Sequence, residues 1–192
     1  MNRLMMLLVG LSLPALAGYT YEIKDGGNFY DLSLNDQSLL MTGGEGHYLD
    51  LMGYSNAVIQ STSPLLSEGN GGIWLLMVSG YSTIDIAGGD IHRLSMSSFA
   101  QAQISGGEVD QIYTTQNATL SKHIEIICKA YNYDLTTKML TGSWGDNSLF
   151  SIQLMDVQGY SPTIDNIKFT IIPEPATMLL LGLGGVLLRR RQ

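Results

Sequence analysis

Five Gly-Gly pairs, at residues 26/27, 43/44, 71/72, 88/89 and 106/107, recur along this chain at intervals of 17, 28, 17 and 18 residues. A doublet that returns at a near-constant period marks a repeat architecture, in which each unit buries its apolar face only by stacking on its neighbours. Five residues after the second glycine of each pair stand Leu32, Leu49, Met77, Leu94 and Ile112, all apolar. Two residues further on, Leu34, Leu51, Ser79, Met96 and Thr114 continue the stripe less strictly. Leading into three of the pairs, Leu39/Met41, Ile84/Ile86 and Ala102/Ile104 repeat with period two, the spacing of side chains on one face of a strand. Residues 54–59 align with residues 99–104, which puts Ser61-Thr62 where a Gly-Gly turn belongs and makes residues 63–72 an insertion.

Short strands, glycine corners and a period of 17 to 18 residues predict an all-β fold, a short parallel β-helix of about five coils over residues 18–119. Glycine suits the corners because the chain takes a positive φ there. The alternative is a β-sandwich whose hairpin turns use Gly-Gly. Beyond Leu120 the pattern changes to longer alternating stretches, Ile124/Ile126, Met139/Leu140, Phe150/Ile152/Leu154 and Ile167/Phe169/Ile171. Trp144-Gly145-Asp146-Asn147 and Tyr160-Ser161-Pro162 punctuate them like hairpin turns. Residues 120–172 therefore read as an antiparallel end piece of the same domain, blocking a sheet edge that would otherwise pair with other chains.

Both ends carry targeting features. Asn2-Arg3 followed by the apolar run Leu4 to Leu13 and by Pro14-Ala15-Leu16-Ala17 has the form of a signal peptide, residues 1–17, with Ala15 and Ala17 as the small residues that signal peptidase requires. At the other end, Pro173-Glu174-Pro175 precedes thirteen uncharged, mostly apolar residues, Ala176 to Leu188, and then Arg189-Arg190-Arg191. The prolines stop any strand of the domain from running on into the apolar segment. As a helix the run spans roughly 20 Å, short of a hydrocarbon core of about 30 Å. The three arginines hold its end on the cytoplasmic side, and their long stems reach past the missing length. Residues 173–192 are expected to form a short C-terminal transmembrane helix that anchors the chain only weakly.

This tripartite tail resembles the PEP-CTERM sorting signal of exopolysaccharide-producing Gram-negative bacteria. The resemblance implies a partner, the intramembrane enzyme exosortase, which would process the chain at Pro173, Glu174 and Pro175 with Arg189, Arg190 and Arg191 as the cytoplasmic stop. It further implies a transient single-pass membrane intermediate and delivery to the cell envelope, the outer surface or the extracellular matrix. It covers only the tail and says nothing of the activity of the rest.

Charge narrows the partners of the body. Four of the ten basic residues, Arg3, Arg189, Arg190 and Arg191, lie in the terminal segments, leaving six against seventeen acids, Glu174 among them, and a net charge near −11. Such a body repels nucleic acid and anionic headgroups and tolerates divalent cations or neutral glycans. Cys128, the only cysteine, lies in an apolar stretch and forms no intrachain disulfide. It reads as a buried thiol rather than as a nucleophile served by His123.

Stacking the repeats superposes Glu45, Asp90 and Glu108 in one column and His47, His92 and Asp110 in another. At about 4.8 Å per rung, such columns would bring carboxylates and imidazoles close enough to share a calcium ion or a substrate hydroxyl. No H-E-x-x-H, G-x-S-x-G, P-loop or paired C-x-x-C motif occurs. No catalytic residue and no resident cofactor is therefore expected. The expectation is a non-enzymatic surface or matrix protein with a structural or exopolysaccharide-contacting β domain, and the runner-up is a polysaccharide lyase or hydrolase of β-helix type.

Overall fold

The computed structural model describes residues 18–63, 72–116 and 122–173. Strands are numbered in chain order. One sheet holds β1 (Tyr21–Ile23), β3 (Ser38–Thr42), β5 (Asn56–Ser61), β7 (Thr83–Ile86), β9 (Gln101–Ile104), β11 (Ile124–Cys128) and β15 (Ile167–Ile171) in that spatial order, every neighbouring pair parallel. The other holds β12 (Ala130–Asp134), β13 (Met139–Ser143), β14 (Leu149–Met155), β10 (Glu108–Thr115), β8 (Asp90–Ser97), β6 (Ile73–Val78), β4 (Glu45–Met52) and β2 (Asn28–Asn35). It is mixed, since β12–β13 and β13–β14 are antiparallel and the remaining pairs parallel. Up to β11 the chain alternates between the two sheets strand by strand. Each turn of chain lies one rung beyond the last.

The register explains the repeat. Ser38 pairs with Asn56 and Thr83 with Gln101, 18 residues apart, whereas Asn56 pairs with Thr83, 27 apart. The longer step contains the expected insertion, most of which lies outside the described residues. Inward columns follow from this pairing. Leu39, Ala57, Ile84, Ala102, Ile124 and Ile167 form one; Leu32, Leu49, Leu76, Leu94, Ile112 and Leu154 form another. Most of these side chains are fully buried, and together they make one continuous core.

Three sequence expectations are corrected here. In the third repeat the inward residues are Leu76 and Val78, both fully buried, rather than Met77 and Ser79. The 27-residue step shifts that repeat by one position, and in a strand one position exchanges the inward and outward faces. The segment after residue 120 is not wholly antiparallel. β11, β14 and β15 continue the parallel stacking, and only the β12–β13–β14 meander folds back on itself. Tyr160-Ser161-Pro162 is not a hairpin turn either; it belongs to the crossover from β14 to β15, which passes through a 3-10 turn, Thr163–Asn166.

Near that crossover the core turns polar, with the side-chain amide nitrogens bonded from within while Gln116 Oε1 and Asn166 Oδ1 stay buried without a partner. The Asn166 side-chain amide donates to Thr114 Oγ1 at 3.0 Å and to the Gln116 carbonyl at 3.2 Å, and the Gln116 amide donates to the Ser98 and Ala100 carbonyls. All three of these side chains are buried.

Candidate functional site

The predicted columns fall on the outer face of the mixed sheet, and β6 interrupts both. Asp90 and Glu108 are register partners, but Gly72 stands between Glu45 and Asp90, next to Ile73, which pairs with both Gly46 and Ile91. By the same register Trp74 separates His47 from His92. The third repeat was recognised at Gly71-Gly72, but the columns were drawn past it, from the second repeat to the fourth. Among the described residues no three His, Cys, Asp or Glu side chains converge to hold a metal. What the structure does bring together is His92 and Asp110, with Nδ1 and Oδ2 2.8 Å apart.

The interrupted histidine column is a ladder of rings. Tyr30 stacks on His47 with centroids 4.9 Å apart, His47 on Trp74 at 5.2 Å, and Trp74 faces His92 at 5.8 Å. These rings share a line because the strands bend at this point. Ile91, His92, Arg93 and Leu94 run inward, outward, outward, inward, and Val109 to Ile112 and Ile73 to Leu76 do the same. Two consecutive side chains therefore face solvent at the bend. Each stacked pair contributes about 0.5–1.5 kcal/mol beyond its burial. A second ladder, Tyr54, Tyr81 and Phe99, stacks at 5.2 and 5.1 Å on a corner where Gly53, Gly80 and Ser98 all take positive φ. The alignment of Tyr54 with Phe99 held half of this signal, and Tyr81 is the missing rung.

A concavity lies on the outer face of the parallel sheet, where sequence reasoning placed nothing. It is a groove of ≈ 740 Å³ running across the strands. Its floor is the column Leu40, Val58, Asp85, Gln103 and Glu125, and a parallel row of Ser38, Asn56, Thr83 and Gln101 flanks it. Small apolar surfaces alternate with neutral hydrogen-bonding groups. Two carboxylates differ in state. Burial pushes the Asp85 carboxyl above its usual range, and its Oδ1 is shielded from solvent without a hydrogen-bond partner. Glu125 is held below its usual range by hydrogen bonds from Lys168, 2.8 Å away, and from the Thr170 hydroxyl.

His123 lines this groove, whereas Cys128 is fully buried and burial raises its thiol, which keeps it protonated and inert. Pro173 is exposed at the end of the described chain. Ala15, Ala17, Glu174, Pro175, Arg189, Arg190 and Arg191, and with them the expected leader and transmembrane helix, lie outside the described residues. Among the described residues no helix is long and apolar enough to cross a membrane.

Comparison with curated proteins and with solved structures returns no match. Residues 172–192 match the family model described as the PEP-CTERM protein-sorting motif. The chain carries the signal that marks an exosortase substrate for export and sorting to the cell surface.

Proposed function

We propose that this protein is a non-catalytic surface or matrix component whose body, a short parallel β-helix with a meander at its C-terminal end, contacts glycan. The leader over residues 1–17 would be removed by signal peptidase, and the tail would be processed by exosortase after a transient membrane stage. The observation that carries the glycan reading is the groove on the parallel sheet. Its rungs are about 4.8 Å apart, comparable to the length of one pyranose unit in an extended chain, so successive sugars would meet equivalent rows of side chains. Ser38, Asn56, Thr83, Gln101 and Gln103 supply donors and acceptors for hydroxyls. Asp85 Oδ1 supplies an acceptor that the protein itself leaves unpaired. A body with a net charge near −11 favours neutral sugars over polyanions in this groove.

A second reading has one observation in its favour. Asp85 and Glu125 share a column and are pushed in opposite directions, the pattern of an acid and a base in a glycosidase. Gln103 lies between them, so strand spacing separates their backbones by about 10 Å. Glu125 is already committed to Lys168 and Thr170, which favours binding over catalysis.

One experiment separates the two. The exported protein, purified in detergent, is incubated with the host's exopolysaccharide while binding and chain length are both followed. Binding without depolymerisation is expected, weakened about tenfold by Asp85→Ala, the loss of one hydrogen bond to a charged group. Depolymerisation abolished by Asp85→Asn would replace this reading with a hydrolase.

A further inference from the structure

On the outer face of the mixed sheet, away from the groove, Arg93 projects between two aromatic rings. Its Cζ lies 5.3 Å from the centroid of Trp74 and 5.1 Å from that of Tyr113. Each ring is held from its far side: Trp74 stacks on His47 at 5.2 Å, and the Tyr113 hydroxyl donates to Gln111 Oε1 at 3.0 Å. The guanidinium is thus fixed in place by its surroundings. Its Nε is shielded from solvent and has no hydrogen-bond partner. Among the described residues no carboxylate reaches ion-pair distance of it, and Asp110 on the same face is engaged with His92.

In a chain with seventeen acids and ten bases, an arginine left without an anion calls for a reason. Removing a guanidinium donor from water without a partner is unfavourable, and the two cation–π contacts only partly offset the loss. The other guanidinium N–H groups are not among the shielded atoms and stay open to an external anion. A carboxylate matches the planar fork with two parallel hydrogen bonds. The adjoining rings of Trp74 and Tyr113 offer apolar surface to the sugar bearing that carboxylate.

We propose that Trp74, Arg93 and Tyr113 form a subsite for a single carboxylate-bearing sugar unit, distinct from the groove on the other sheet. The inference rests on the reading of the body as glycan-contacting, and it adds an acidic residue to the glycan it takes. One cation pairs with one carboxylate, so the subsite takes a single uronate unit of the glycan that enters it.

The test titrates the exported protein, purified in detergent, with a short oligogalacturonate and with its carboxyl-reduced counterpart, following heat of binding and the Arg93 Nε–H resonance. The oligogalacturonate is expected to bind and to shift that resonance, and the reduced form to bind about tenfold more weakly or not at all. Arg93→Lys keeps the charge but loses the fork, and is expected to weaken oligogalacturonate binding about tenfold at an unchanged melting temperature. Equal affinity for the two oligosaccharides, an unmoved Arg93 resonance, or binding only of a sulfated oligosaccharide overturns the carboxylate subsite. If the oligogalacturonate fails while the host polysaccharide still binds through Asp85, the subsite falls and the groove stands. If no glycan binds, both readings fall.

Discussion

Gly106 and Gly107 answer two separate demands at a single corner. A Cβ on Gly106 would lie 2.4 Å from the Ala87 carbonyl oxygen, so the preceding coil leaves no space for a side chain. Gly107 has φ +86, and a Cβ there would also meet the Gly89 carbonyl at 2.5 Å. That carbonyl accepts the Glu108 N–H at 2.8 Å, so it cannot retreat without breaking the rung. Gly26 is the control: its φ is +77, but nothing lies within 4 Å of an added Cβ. Gly26→Ala should therefore cost only the left-handed backbone term, about 1 kcal/mol, and Gly107→Ala about 3 kcal/mol or more. Urea denaturation of the two variants checks this, and equal losses would mean that close stacking at the corner is not what the glycine serves. The Gly-Gly doublet was plain in the sequence because both demands can be met only by a residue without a side chain. Which of the two glycines meets which demand was not, because it depends on the neighbouring coil.

At the scale of elements, the strands were legible where period two is kept and misread where it fails. Leu39/Met41, Ile84/Ile86 and Ala102/Ile104 point inward as their spacing requires. The bend in β6, β8 and β10, with two outward residues in succession, has no counterpart in a strict alternation. The outer ladder and the Arg93 cradle both arise from that bend. The meander carries its own test. Trp144, read as part of a turn, does sit at the β13–β14 connection, yet it is buried, lies 4.2 Å from Phe150 and donates its indole N–H to the Gly107 carbonyl at 2.9 Å. It fastens the meander to the last glycine corner. Trp144→Ala is expected to destabilise the protein by about 3–5 kcal/mol, and Trp144→Phe, which keeps most packing but leaves the carbonyl unpaired, by about 1–2 kcal/mol. Native-state hydrogen exchange should show β12 and β13 losing protection before β4, β6 and β8 in both variants. Uniform loss across all strands would show that Trp144 holds the whole stack rather than its end.

For the molecule as a whole, delivery and body are separate problems solved by separate segments. The sorting motif spans residues 172–192, while the buried core residues fall between Leu34 and Ile167. Processing at the tail should therefore leave the fold untouched. Co-expression with an exosortase is expected to shorten the chain near Pro173, with an unchanged melting temperature of the remaining body. An intact tail on the surface form, read by mass spectrometry, would sink the processing step. Among the described residues the stack ends at β1 and β2, an edge that is short in one sheet and carries Asn28, Asp31 and Asn35 in the other, a composition that discourages pairing with further chains.

By itself the sequence determined the period, the glycine corners and the address at the tail. All of these are written locally, in spacings and compositions that one chain segment carries without reference to another. The tertiary structure decided what stands beside what. The 27-residue step inserts Gly72 and Trp74 into columns that had seemed continuous, and it turns a supposed carboxylate and histidine site into a ring ladder with one His92–Asp110 pair. Only stacking leaves Asp85 unpaired on a groove floor and Arg93 unpaired between two rings. Burial and partnership belong to pairs of residues far apart in the chain, and the register that joins them is set by the length of every loop between.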